Sequence, residues 1–227
     1  MLSWVASSGE AAKAGTEMLT SRGGVGDHSP PLSLQEMKEE DAALEASGAV
    51  KYCTVSGATV VYMPHDKKLP FYMACPEEIP DDRNEGKTRT CQKKMERSSS
   101  GRWSCAAGHE CQHPKARWML FFSIADHTGQ QYVSAFDETS AKVMGHEASE
   151  CAELWEQKDT NKEAAKKIER MFWEAQFTRW TLRLKRKREV WNDEEKVKVQ
   201  CIEAWPLDVA KQARSMMSQL RRVVPDF

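Results

Sequence analysis

No apolar run in the 227 residues approaches the 18 or so that a membrane-crossing helix needs. The opening, MLSWVASSGEAAKAG, has no basic start and too short an apolar segment for a secretory signal. Net charge is missing too. Lys and Arg number 33 against 34 Asp and Glu, so the total charge says nothing about partners. No internal repeat is evident, and no two cysteines stand in a C-x-x-C pair. Seven cysteines, an odd number, without an export signal argue for reduced thiols and a metal rather than disulfides. The expected compartment is the cytosol or the nucleus.

What is present is unevenly spread. Residues 86–118 carry eight Lys or Arg against Glu96 and Glu110, and residues 179–188 carry six with no acid. Acid gathers at 36–45 and 147–163. Two basic islands in a neutral chain suit a polyanion, although most charge runs are only solvated faces.

Residues 1–30, rich in Gly, Ser and Ala, read as a flexible linker or tail. A short helix or turn follows in 32–48. Strand signals then dominate: 52–63, interrupted by Gly57 as a bulged strand would be, FYMAC, the apolar run 117–126 and QYVSAFD at 131–137. Helical spacing in 161–177 places Ala164, Ile168, Met171, Phe172 and Ala175 on one face, with Asn161 as cap. Alternation returns at 178–191 and 197–205, and a helix with an apolar stripe (Val209, Ala213, Met216, Met217, Leu220, Val224) closes the chain. The expected fold is mainly β: a five-stranded OB-type barrel over 31–206 with an insert at 75–113, one inserted helix, and a C-terminal α-helix in 207–227.

The insert holds Cys75, Cys91, Cys105 and Cys111, a thiol set that suits tetrahedral zinc. Its Pro and Gly punctuation and its charge leave little material for an apolar core. Within it, His109 to His113 spells H-E-x-x-H, the pattern of a zinc protease. That chemistry needs a helix to bring both imidazoles to one face. Gly108 before the motif and Pro114 after it work against one, so a structural metal is expected and no catalytic residue.

In 178–191, Trp180, Leu182 and Leu184 alternate with Arg179, Arg183, Lys185 and Lys187, which predicts cations in a row at about 6.6 Å. Such a row suits the backbone of a single strand of nucleic acid. It equally suits a charged edge strand. In QYVSAFD, Val133 and Ala135 make the core face, which turns Tyr132 and Phe136 outward as candidate base-stacking rings, with Trp191 a third. Arg183, Lys185, Arg117, Lys93 and Lys94 are the candidate phosphate contacts.

These blocks (ATVVYM, FYMACP, CQKKM, RWMLFFSIADHTGQQYVSAFDETSAKVMG, VWNDEEKVK and the closing helix) resemble, in order, the C-terminal DNA-binding domain of the replication protein A large subunit. The resemblance covers about 31–227. It implies an OB-fold with a zinc ribbon, one structural Zn2+, and single-stranded DNA as partner. It also implies a place in a nuclear heterotrimer whose two smaller subunits bind the closing helix through Met216, Met217, Leu220 and Val223 or Val224. Cys75, Cys91 and Cys105 match three ligands, and Tyr132, Phe136 and Trp191 match stacking aromatics. The family's closing C-x-x-C has Gly108 at its second position here, so the fourth ligand is Cys111, preferred, or His109. An insertion, EEIPDDRNEGKTR, also spreads the first cysteine pair, and the family's upstream OB-folds have no counterpart in this chain. It is expected to be a fragment, a truncated gene model or a stand-alone paralogue. The other reading of the chain is a subunit-assembly module with little DNA binding of its own.

Overall fold

The computed structural model describes residues 31–42, 50–65, 68–82, 84, 86–99, 101–191 and 194–224, with the side chains of 191, 219, 222 and 223 excepted. The tail expected at 1–30 and the helix stop expected at Gly48 lie outside them.

Five long strands carry the fold: β1 (Val50–Tyr62), β8 (Lys115–Ala125), β9 (Gln130–Phe136), β10 (Arg179–Trp191) and β11 (Glu194–Pro206). β1 pairs antiparallel with β10, β10 with β11, β9 with β8, and β8 with β1, while β11 and β9 run parallel. Each long strand therefore has a neighbour on both sides. Gly57, at φ +75°, sits in a bulge that shifts the β1 register between Ser56 and Ala58. The bulge switches parity, so Cys53 and Val55 face inward before it and Ala58 and Val60 after it. A short strand, β2 (Phe71–Ala74), adds to β8.

Between β9 and β10 the sequence predicted one helix, and the structure has three: α2 (Asp137–Met144), α3 (Ala148–Gln157) and α4 (Lys162–Ala175). Gly145 ends α2 in the left-handed conformation at φ +70°. The predicted cap holds, since Asn161 Oδ1 accepts from the Glu163 and Ala164 amides at 3.0 and 3.4 Å. These helices cover the core through Val143, Cys151, Ile168 and Phe172. Trp118, fully buried on β8, ties them down by donating from Nε1 to the His146 carbonyl at 2.9 Å, and its ring meets Phe172 edge-on.

Helix α1 (Leu34–Ala42) docks by an unforeseen device. Strand parity continues the inward file Leu182, Leu184 to Arg186, which is 1% exposed. Its guanidinium donates to the Met37 carbonyl and pairs with Asp41 and Glu40, both at 2.7 Å. Asp126, on the β8–β9 turn, accepts from the Leu34 amide at 2.8 Å. At the other end of the chain, α5 (Val209–Val223) begins at the capping Asp208, and Gln212 reaches the Ser56 hydroxyl on β1. A Cβ at Gly57 would lie 3.4 Å from the Gln212 side-chain amide, so the bulge sits directly against this helix.

Candidate metal centre and nucleic-acid interface

The insert is built from strands too short to hold themselves. β3 (Glu78–Pro80) pairs with β4 (Thr88–Thr90), and β5 (Met95–Arg97) with β6 (Trp103–Cys105), which pairs with β7 (Glu110–Cys111). Their shared interior is Cys75, Cys91, Met95 and Cys105, with Ile79, Trp103 and Cys111 packed at its edge. Two backbone turns aim the thiols together. In the first, the Cys75 amide donates to the Lys93 carbonyl and the Gln92 amide to the Cys75 carbonyl, with Gln92 left-handed at φ 56°. In the second, the Gly108 amide donates to the Cys105 carbonyl at 2.8 Å, and Gly108 sits at φ +82°, which suits a residue without Cβ.

The ligand atoms of Cys75, Cys91, Cys105 and His109 lie within 4.8 Å of one another. His109 Nδ1 is 3.5 Å from the Cys75 sulfur. Cys111, the preferred fourth ligand, is not in that group: its thiol donates to the Met95 sulfur at 3.4 Å. Gly108 turns the chain so that the next residue points in, while strand pairing with Trp103 directs Cys111 elsewhere. Burial and the neighbouring Cys105 and Cys91 groups push the Cys75 thiol up to about 11. Burial also opposes ionisation of Cys105, yet the Ala107 and His109 amides and the other two thiols hold it below its ordinary value. Three thiols and an imidazole so crowded fit a soft, tetrahedral cation that displaces their protons. The H-E-x-x-H run is not helical. Glu110 and Cys111 are strand β7, and Glu110 pairs with Arg102 at 3.4 Å.

The second site is the outer face of β8 and β9. Tyr132 is 59% and Phe136 41% exposed, while Val133 and Ala135 are buried, as the alternation predicted. The Trp191 side chain lies outside the described residues. Arg117 is held by Asp137 at 2.8 Å, beside Phe136, in a cavity of about 210 Å³ that Gln200 and Cys201 help to line. Lys93 and Lys94 are exposed, and Ala74 pairs with Lys94 on one side and Lys115 on the other. The cations of β10 lie elsewhere, because β11 or β1 intervenes between β10 and the β8–β9 pair. There Arg183 pairs with Glu203 at 3.9 Å and lies 5.9 Å from the Tyr52 ring centre, and Lys187 pairs with Glu189. Lys185 is half-buried.

Sequence reasoning passed over two exposed rings on the aromatic face. Phe121 on β8 is 51% exposed, and Tyr62 on β1, paired with Ser123, is 44% exposed. The near-continuous apolar run of 117–126 hid Phe121, although its parity is opposite to that of Trp118, Leu120 and Phe122. A third exposed feature is α5 with its C-cap Val224: Val209, Met216, Met217, Leu220 and Val224 are 40% to 71% exposed, with Ala213 also exposed.

These features define a mainly β domain with a thiol-rich insert and an aromatic sheet face flanked by cations. The chain belongs to the Replication factor-A C terminal domain family, whose model matches residues 52–216. It is 31% identical over 156 residues to a 70 kDa DNA-binding subunit of replication protein A from Oryza sativa subsp. japonica, covering 68% of this chain and 15% of that protein. It is 29% identical over 222 residues to the corresponding subunit of Xenopus tropicalis, covering 97% of this chain and 33% of that one. The chain thus spans a third or less of these curated relatives. Among solved structures, it resembles a replication protein A heterotrimer bound to single-stranded DNA, with a TM-score of 0.67, 25% identity, and coverage of 84% of this chain and 39% of that one. It shares its fold with yeast replication protein A bound to single-stranded DNA, at a TM-score of 0.61 and 18% identity over 86% of this chain and 98% of that one.

Proposed function

We propose that the chain is a non-enzymatic, sequence-tolerant single-stranded DNA-binding domain of the replication protein A large-subunit type, working in the nucleus in replication, repair and recombination. The ring of strand pairings is read as an OB barrel over 31–206, the insert at 75–113 as a zinc ribbon, and 207–227 as an assembly helix. The observation that carries the reading is the cluster of exposed rings on this sheet face, Tyr132 and Phe136 foremost. A half-exposed aromatic in a strand is costly to leave in water unless something planar covers it, and every base has a planar face.

Bases stack on Tyr132 and Phe136, with Trp191 at the β10–β11 turn. Lys93 and Lys94 take phosphates from the insert side. Arg117 joins them when a phosphate competes with Asp137, and Arg183 and Lys185 follow the strand around the barrel. Cys75, Cys91, Cys105 and His109 would hold one zinc ion, which would supply a structural cross-link to a ribbon that walls the groove. Affinity for oligo-dT should fall with log salt at a slope of about −0.7 for each phosphate neutralised. Equal affinity for duplex of the same length, or no salt dependence, contradicts the reading. For the ligand set, His109→Ala should lose zinc while Cys111→Ser keeps it, read by metal analysis of the purified chain. The reverse result restores Cys111.

A second reading rests on α5. Its apolar stripe is too exposed for a lone chain and fits two smaller subunits of the replication protein A type. Deleting 208–227 should abolish their capture while leaving oligo-dT binding.

A further inference from the structure

The β8 strand alternates from Lys115 to Phe122, with Lys115, Arg117, Met119 and Phe121 on its outer file, and the pattern ends at the buried Ser123. The inner file of Ala116, Trp118, Leu120, Phe122 and Ile124 is 6% exposed or less, so the core has no need of Phe121. In the β8–β9 register Phe121 stands opposite Ser134, whose neighbours two positions away are Tyr132 and Phe136. Opposed residues of an antiparallel pair share a face, and diagonal partners lie about 7–8 Å apart, within reach of aromatic rings. Ser134 is small, so nothing on β9 fills the gap between its two rings. Phe121 stands across that gap, with its ring half in water.

We infer that Phe121 is a fourth base-stacking residue, taking the base between those on Tyr132 and Phe136. This rests on the single-strand reading above and adds a residue to it. The neighbourhood favours a nucleic-acid strand over an apolar protein partner. The same file of β8 carries Arg117 and Lys115 two and three steps before Phe121, so one occupant must offer both anions and planar apolar faces. Stacking on a ring face does not discriminate among bases, so the added subsite extends the contact without adding sequence preference. Phe121 is a binding residue only.

The test is oligo-dT affinity of the full chain by fluorescence anisotropy, for Phe121→Ala, Phe121→Leu and Phe121→Trp beside Tyr132→Ala. A stacked ring is worth about 1–3 kcal/mol, so Phe121→Ala should weaken binding about 5-fold to 150-fold. Phe121→Trp should bind like the parent, and Phe121→Leu, which keeps bulk but lacks a π-face, should track Phe121→Ala. The salt slope should not change, since no phosphate contact is removed. Melting should hold, because the side chain is half-exposed. If the parent chain and Tyr132→Ala differ in affinity but Phe121→Ala matches the parent, this inference fails and the broader reading survives. If Phe121→Leu binds like the parent, the ring acts as bulk and stacking is rejected. If the parent does not bind oligo-dT, both fall together.

Discussion

The five long strands and the insert sit in one chain but are held by different forces. The long strands bury a continuous apolar core in which Trp118, Phe122, Phe172, Leu182 and Leu184 are wholly enclosed. The insert buries three thiols and one methionine. With about 25 cal/mol per Å² of apolar burial as the driving force, the first is self-sufficient and the second is not. Strands of two or three residues also fall below the length at which ladders sustain themselves. On the proposed reading the insert's order comes from a metal bond that the long strands do not need, with Cys75, Cys91, Cys105 and His109 as its donors.

Four substitutions sharpen the contrast. Trp118→Ala should have the largest effect, lowering global stability by about 3–5 kcal/mol in denaturant unfolding, because it leaves a cavity and orphans the His146 carbonyl. Cys105→Ser should leave that same barrel transition nearly in place. Arg186→Ala should come next, at about 3 kcal/mol, because it strands the Asp41 carboxylate near the core and frees α1. The smallest effect is acid loosening of the α1 seat. Burial alone would raise the Asp126 carboxyl, but donors from Thr128, Leu34 and Gly129 hold it below the usual carboxylate range. Its folded value is depressed, so its contribution is present above the unfolded value and is lost as pH falls through the folded one. Asp126→Asn should flatten stability against pH in that acidic window.

Much of the mainly β fold was legible because alternation is a local signal. The parity of 178–191 and of 131–137 predicted the buried faces, and Asn161 announced α4. Helices α2 and α3 escaped because each is short and Gly145 breaks their apolar spacing between Met144 and Ala148. Arg186 was on the inward file by count, but a cation there makes sense only with Asp41, 145 residues away, and no local pattern carries that. The fourth member of the thiol group shows the same limit. Cys111 is the better zinc ligand by residue type, yet the left-handed turn at Gly108 brings in His109, and turn geometry is not written in ligand spacing.

The most direct test of the metal's role is amide hydrogen exchange of the zinc-loaded chain, followed by peptide segment, with and without a chelator. Residues 75–113 should lose their protection on chelation while β1, β8, β9, β10 and β11 keep theirs. Protection of 75–113 that persists without zinc, or a barrel that opens together with the insert, would contradict the division of forces between them.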